Sequence, residues 1–262
     1  MGNRFTASSA SISVDSESNS HGSHGAESVN SVLIELLDRF NRREIPATWA
    51  FHDPAEALIA TRVAAHPVKH EIAILDDAVA VHSQFSRAYL LNGVGRRLRA
   101  AAAAGIPIST LAVFDDWQPS NIDLLTKFGL AMIRGHRPLE REASCAVKYT
   151  RGIQGICYGL SYVPTSCLVD GGKWLANRMQ LRQVLRTIDR AIDRGEHCHI
   201  RIDAATLAEG DAAESLRAID RWLRHLAQLR DGGRMSISTL RETVQQASPK
   251  RAIAAHSILR AA

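Results

Sequence analysis

The chain has 262 residues, 45% of them hydrophobic and 23% charged, which is the balance of a globular protein long enough to bury a sizeable core as one domain over 1–262. Its net charge of +5 is modest and spread over helical arginines, which argues against a nucleic-acid partner. No run approaches the roughly 18 consecutive apolar residues of a membrane span, no basic-then-apolar leader opens the chain, and Cys145, Cys157, Cys167 and Cys198 lack C-x-x-C spacing, so a reduced, cytoplasmic protein without membrane contact is expected.

In chain order, Ser11-Ile12-Ser13-Val14-Asp15 alternates polar and apolar side chains, the period of a strand, and runs into a polar stretch, Ser16 to Gly25, read as a loop. From Ser28 to Arg43, Val29, Val32, Leu33, Leu36, Leu37 and Phe40 recur at helical spacing, with Glu35, Asp38, Arg39 and Arg42 on the opposite face. A strand is expected at 47–51, a helix over 54–65, a strand at 70–75 and a long helical stretch ending near Gly105. A strand at 108–114 follows, and Ser120 is the expected N-cap of a helix carrying Ile122, Leu125 and Phe128, which Gly129 ends before a strand at 130–133.

Further strands are expected at 159–163 and 198–202. Between them, Trp174 to Arg194 reads as a helix with Leu181, Leu185, Ile188 and Ile192 inward and an arginine every four residues from Arg178 on a solvated face. Asp211 and Glu214 take capping-box positions before a helix that buries Leu216, Ile219, Leu223 and Leu226 and stops at Gly232-Gly233. A last strand at 235–237 precedes a tail, beyond Gln246, expected to be loosely held. This alternation argues for an α/β fold with parallel strands, and periodicity leaves both a closed barrel and an open doubly wound sheet possible.

Several of these segments, in order, resemble the polysaccharide deacetylase (NodB homology) family. Ser13-Val14-Asp15-Ser16-Glu17 is similar to the first motif, which delivers an aspartate base, and Ile45-Pro46-Ala47-Thr48-Trp49-Ala50-Phe51 to the second strand, an "iPATwf" run. His70-Glu71-Ile72-Ala73 resembles the start of the metal motif, Ser86-Arg87 the onset of the next helix, and Gly129 to Gly135 the "Gf..yRg" strand. Gly159 to Ser166 is similar to a strand ending in Pro-x-Ser, and His199-Ile200-Arg201-Ile202-Asp203 to the last catalytic strand.

The resemblance implies an irregular, TIM-like (β/α)7 barrel, a link to carbohydrate metabolism, and a hydrolase reaction in which zinc polarises an N-acetyl carbonyl while an aspartate base and a histidine acid move protons. Carried over by position, Asp15 matches the base, but Ser16 replaces the metal-binding aspartate and the two metal histidines fall on Leu75 and Val79, which cannot ligate. The arginine that tunes the base falls on Asp116, and the acid histidine on Asp203, by an ungapped count. The expectation is therefore a pseudoenzyme in the N-deacetylase reaction, with no cofactor and a carbohydrate as the implied ligand; the oligomeric state is left open.

Asp15, Glu17, Asp76, Asp77, Asp115, Asp116 and Asp203 all fall at or just beyond predicted C-terminal strand ends, where barrel enzymes build their sites. Such loops also favour aspartate as a cap and turn former. Asp15 with Asp203 or Asp116 is the candidate carboxylate set of a rebuilt hydrolase. Glu17, Asp76, Asp77, Asp115, Trp117 and His199 are candidate ligand contacts, Trp117 as a sugar-stacking face. His21 and His24 with Asp15 and Glu17 form an alternative metal set, while Trp49 and Trp222 are expected in the core. Three readings follow: a silent carbohydrate-binding relative, a hydrolase with a rebuilt carboxylate site acting on a glycan or small amide, and a non-enzymatic partner in a polysaccharide pathway.

Overall fold

Strands and helices alternate along the chain in the computed structural model, which describes residues 8–16, 23–76, 87–113, 121–136, 148–150, 152–171 and 174–247. The strands are β1 (Ser8–Asp15), β2 (Thr48–Phe51), β3 (Glu71–Asp76), β4 (Thr110–Val113), β5 (Met132–Gly135), β6 (Lys148–Thr150), β7 (Ile153–Gly155), β8 (Ser161–Pro164), β9 (Cys167–Val169), β10 (His197–Asp203) and β11 (Met235–Ile237). The helices are α1 (Ser23–Arg42), α2 (Leu58–Ala65), α3 (Arg87–Tyr89), α4 (Gly95–Ala103), α5 (Ile122–Lys127), α6 (Trp174–Arg194), α7 (Ala204–Glu209), α8 (Ala212–Asp231) and α9 (Leu240–Ala247).

All neighbours in the row β8-β5-β4-β3-β2-β1-β10-β9 are parallel. Its two ends, β8 and β9, are one run of chain interrupted only by Thr165 and Ser166. The Thr165 amide still donates to Gly135 O of β5 (2.9 Å), whereas the Ser166 amide donates to His199 O of β10 (2.9 Å). One segment thus steps from one edge of the row to the other and closes it into a barrel of seven strand positions, which decides between the barrel and the open sheet.

Alternation along each strand sorts side chains into two shells. Ile12, Val14, Trp49, Phe51, Ile200 and Ile202 turn outward into a core shared with Leu33, Leu36 and Phe40 of α1, Val184 and Ile188 of α6, and Trp222, Leu223 and Leu226 of α8. A second outer core joins Ile74, Leu111, Val113, Ile133 and Tyr162 to Leu90, Val94 and Leu125. Trp49 and Trp222 are buried here, as expected from the sequence.

The structure corrects several boundaries. α1 begins at Ser23, inside the stretch read as a loop, because Ser-His-Gly-Ala-Glu carries no apolar period to betray a first turn. The long stretch before Gly105 is broken by a π-helical turn at Leu90–Val94, where Gly95 lets the Phe128 ring approach to a point an added Cβ would meet at 2.9 Å. The N-cap of α5 is Asn121, in left-handed conformation with φ 52°, while Ser120 lies outside the described residues. Reading from sequence missed the antiparallel pair β6–β7, as well as β9, α7 and α9, all too short for periodicity to register. Residues beyond 247, including the tail, lie outside the described residues.

Candidate functional site at the barrel mouth

The lumen is built in three levels. At the bottom, Glu71 at the start of β3 accepts from Thr48 Oγ1 (2.8 Å), from Thr110 Oγ1 and from the Arg241 amide (2.9 Å). The Leu240 amide donates to Thr48 Oγ1 (3.0 Å), so the N-terminus of α9 closes the barrel floor. A capping box holds that helix: the Glu242 amide donates to Thr239 Oγ1 (3.2 Å) and the Thr239 amide to Glu242 Oε2 (3.1 Å). Beside it His197, on β10, bridges Ser9 Oγ (2.9 Å) and Ser11 Oγ (3.0 Å) of β1.

In the middle, Ala50, Ala73, Leu75 and Ala112 form a small apolar cluster on β2, β3 and β4, while His199 of β10 has its Nε2 3.0 Å from Ser13 Oγ. At the mouth, Asp15 ends β1 with both carboxylate oxygens engaged. Arg134 Nη2, reaching from β5, donates to Oδ1 (2.6 Å), and Arg201 Nε, from β10, donates to Oδ2 (2.6 Å); exposures are 0%, 0% and 3% for Asp15, Arg134 and Arg201. Arg134 crosses three intervening strands whose lumen residues at this level are small or apolar, and the methyl side chains of Ala50, Ala73 and Ala112 leave room for it.

Of the candidate residues, Asp15, His199 and Asp203 are brought together on adjacent strands, with Asp15 directly beside Asp203 in the β1–β10 register. Asp203 is the N-cap of α7, accepting from the Thr206 amide (3.1 Å). Burial raises its carboxyl above the ordinary range and the nearby charge of Asp15 adds to this, against the Thr206 amide and Arg201. Asp76 turns away from the lumen: Tyr89 Oη donates to it (2.7 Å) and Arg97 stands 3.5 Å from it under the π-helical turn. Glu17, His21, Asp77, Asp115, Asp116 and Trp117 lie outside the described residues, and His24 falls on α1. His197 and His199 are two apart on β10 and both face the lumen, His197 at the floor and His199 nearer the mouth.

Arg134 and Arg201 were not singled out from sequence. The signal was there: Arg134 lies in the Gly129–Gly135 segment, and Arg201 shares the period of two with His199 and Asp203. Position 116 is not needed to supply a cation to Asp15, because two other strands do so.

No protein-family model matches the chain, and no curated protein does. Solved structures match its fold over nearly the whole length. A probable polysaccharide deacetylase from Pseudomonas aeruginosa PAO1 superimposes with a TM-score of 0.68 at 9% identity, covering 92% of this chain and 91% of that one. The fold is that of the polysaccharide deacetylases. Peptidoglycan deacetylase PdaC from Bacillus subtilis is similar at a TM-score of 0.52 and 11% identity, over 95% of this chain and 96% of its own. PuuE allantoinase matches at 0.70 and 10% identity, over 94% and 92%.

A polysaccharide deacetylase barrel implies zinc, and the described donors do not fit that ion. Both oxygens of Asp15 are taken by guanidinium groups, and Ser16 Oγ donates to Ala50 O (3.0 Å). Leu75, one of the two positions to which the resemblance assigns a histidine, packs in the apolar lumen cluster. Among the described residues no group of three or more His, Cys, Asp and Glu side chains could hold a metal. Nor is any helix among them long and apolar enough to cross a membrane.

The lumen histidines give the fold an acid limit. Burial lowers His197 to about 4, and it lowers His199 well below 6.5, with Arg134, His197 and Arg201 acting in the same direction. A folded-state pKa below the unfolded value means that the unfolded chain binds more protons, so this stabilisation is present above pH 6.5 and is withdrawn as pH falls from 6.5 towards 4. The expected result is a His197→Gln variant whose stability, measured by urea unfolding, changes less than that of the wild type between those pH values, by about 2–3 kcal/mol. Parallel profiles for the two proteins would contradict the assignment.

Proposed function

We propose that this polysaccharide-deacetylase-fold protein serves carbohydrate metabolism without running zinc-dependent N-deacetylation, and that its barrel mouth acts as a binding site built on arginine rather than on a metal. The observation that carries this reading is the state of Asp15. A base that must take a proton from metal-bound water needs an oxygen turned towards that water, yet each oxygen of Asp15 accepts a 2.6 Å charge-assisted hydrogen bond from a buried arginine. The role of the carboxylate is then to neutralise and orient two guanidiniums. The fold does not fix the substrate, since one structural neighbour is named an allantoinase and others are named polysaccharide or peptidoglycan deacetylases.

The test is acetate release from acetylated chito-oligosaccharides with zinc, cobalt, manganese or magnesium supplied in turn. The expected outcome is no release above the blank under any of them. Zinc-dependent turnover would end this reading.

A second reading, a hydrolase with a rebuilt carboxylate site, is favoured by one feature: the raised carboxyl of Asp203 beside Asp15 is the kind of group that can retain a proton for a leaving amine. Asn caps a helix as well as Asp does, so Asp203→Asn preserves α7 while removing the acid. Under this second reading, any turnover of glycans or small amides found by screening disappears in Asp203→Asn; turnover that survives with an unchanged pH profile excludes it.

A further inference from the structure

Asp15 uses only one nitrogen of Arg134. Nε and Nη1 of the same guanidinium are buried with no hydrogen-bond partner among the described residues, on a side chain that is 0% exposed. Nδ1 of His199, also fully buried, has no partner among them either. Buried donors are almost always satisfied, and an unmet donor on a charged group is the costlier kind.

The charge balance has the same sign. Among the described residues, Arg134 and Arg201 bring two positive charges to this level of the lumen, and Asp15, the carboxylate they share, returns one. Burial holds His197 and His199 neutral. Among the described residues the other carboxyls of the lumen are Asp203, which is bound to the first turn of α7 and has its uncharged form favoured by burial, and Glu71, which sits at the opposite end of the barrel against α9.

We propose that the mouth of the barrel binds a ligand through a carboxylate group, received by the free nitrogens of Arg134 with His199 Nδ1 as a neighbouring donor. A carboxylate matches in charge, being opposite in sign to the guanidinium, and in shape, since its two coplanar oxygens suit a planar guanidinium. Within the metal-independent reading on which this rests, the ligand class becomes a sugar acid rather than a neutral acetylated sugar. With Ser13 Oγ donating to Nε2, the neutral ring of bound His199 carries its proton on Nδ1 and can donate it to the ligand.

The experiment is thermal denaturation of the full chain in excess EDTA at fixed ionic strength, with sodium D-glucuronate, D-glucose or inorganic phosphate added. D-glucuronate is expected to raise Tm saturably, by about 5–10 °C at a hundredfold excess over its dissociation constant, whereas glucose leaves it unchanged. Arg134→Met, which keeps the Asp15–Arg201 pair, is expected to abolish the rise. As a check independent of any variant, the Arg134 Nε–H resonance of the wild type is expected to shift on adding D-glucuronate.

No response to D-glucuronate, an equal response to glucose, a response to phosphate alone, or a full response retained in Arg134→Met would each overturn the carboxylate assignment. If the chelated protein is inert but the zinc-loaded protein releases acetate from acetylated chito-oligosaccharides, the metal-independent reading fails with it. If both preparations are inert towards those oligosaccharides and D-glucuronate has no effect, only the carboxylate assignment falls.

Discussion

Asp15→Asn is expected to destabilise the protein by about 3–5 kcal/mol, while Arg134→Met costs far less, about 0–2 kcal/mol. The asymmetry follows from counting charges in a place without water. Removing the carboxylate strands two guanidiniums that are 0% and 3% exposed, leaving buried cations without the counter-charge they share. Removing Arg134 instead leaves Asp15 paired with Arg201 through a 2.6 Å contact, relieves a buried positive charge and fills the space with a flexible apolar side chain. Urea unfolding at pH 7 measures both variants. A difference of this size in that order supports the clamp, and an Arg134→Met variant as damaged as Asp15→Asn would show that the cluster is not a cation-rich site.

Glu71→Ala is the second variant with a large expected effect, about 2–4 kcal/mol, from the unsatisfied donors it leaves behind. Thr48 Oγ1, Thr110 Oγ1 and the Arg241 amide all lose their acceptor at the barrel floor. Because the Arg241 amide belongs to the first turn of α9, the loss should be felt locally as well as globally. Hydrogen exchange is expected to show α9 amides losing protection before those of β1 and β10. Burial raises the Glu71 carboxyl above its ordinary value, so its contribution is fully present below the unfolded pKa of 4.5 and is withdrawn as pH rises through the folded value. Uniform loss of protection across the barrel would contradict the role given to this residue.

Much of the scaffold is written in periodicity, and the strongest patterns gave the truest boundaries. Trp174–Arg194 is helical over the span read from its repeating apolar stripe, and Asp211 caps α8 through the Glu214 amide at 3.0 Å as its position suggested. Short elements carry too few residues to show a period, which is why β9 and α9 went unread although one closes the barrel wall and the other its floor.

The site was legible as a set of positions but not as a chemistry. Asp15 and Asp203 stand out by their places at strand ends, and His199 by its place in the last strand of the family resemblance, but the partners of Asp15 arrive from β5 and β10, far away in the chain, and nothing local announces that two arginines converge on one carboxylate. His70 and Glu71, which looked like the opening of a metal motif, serve the fold instead. His70 Nδ1 accepts from the Ala47 amide (3.1 Å), its Nε2 pairs with Asn41 Oδ1 (2.9 Å), and Glu71 anchors α9. A motif fixes which residue types recur, whereas the role of each depends on which end of the strand it occupies.

Under the proposed function, arginines and not a metal ion complete the surroundings of Asp15. Elemental analysis of the full chain after equilibration with excess zinc and removal of unbound ion tests it most directly. No zinc retained in stoichiometric amount is the predicted result; one zinc per chain, lost on replacing Asp15 and accompanied by acetate release, would contradict it.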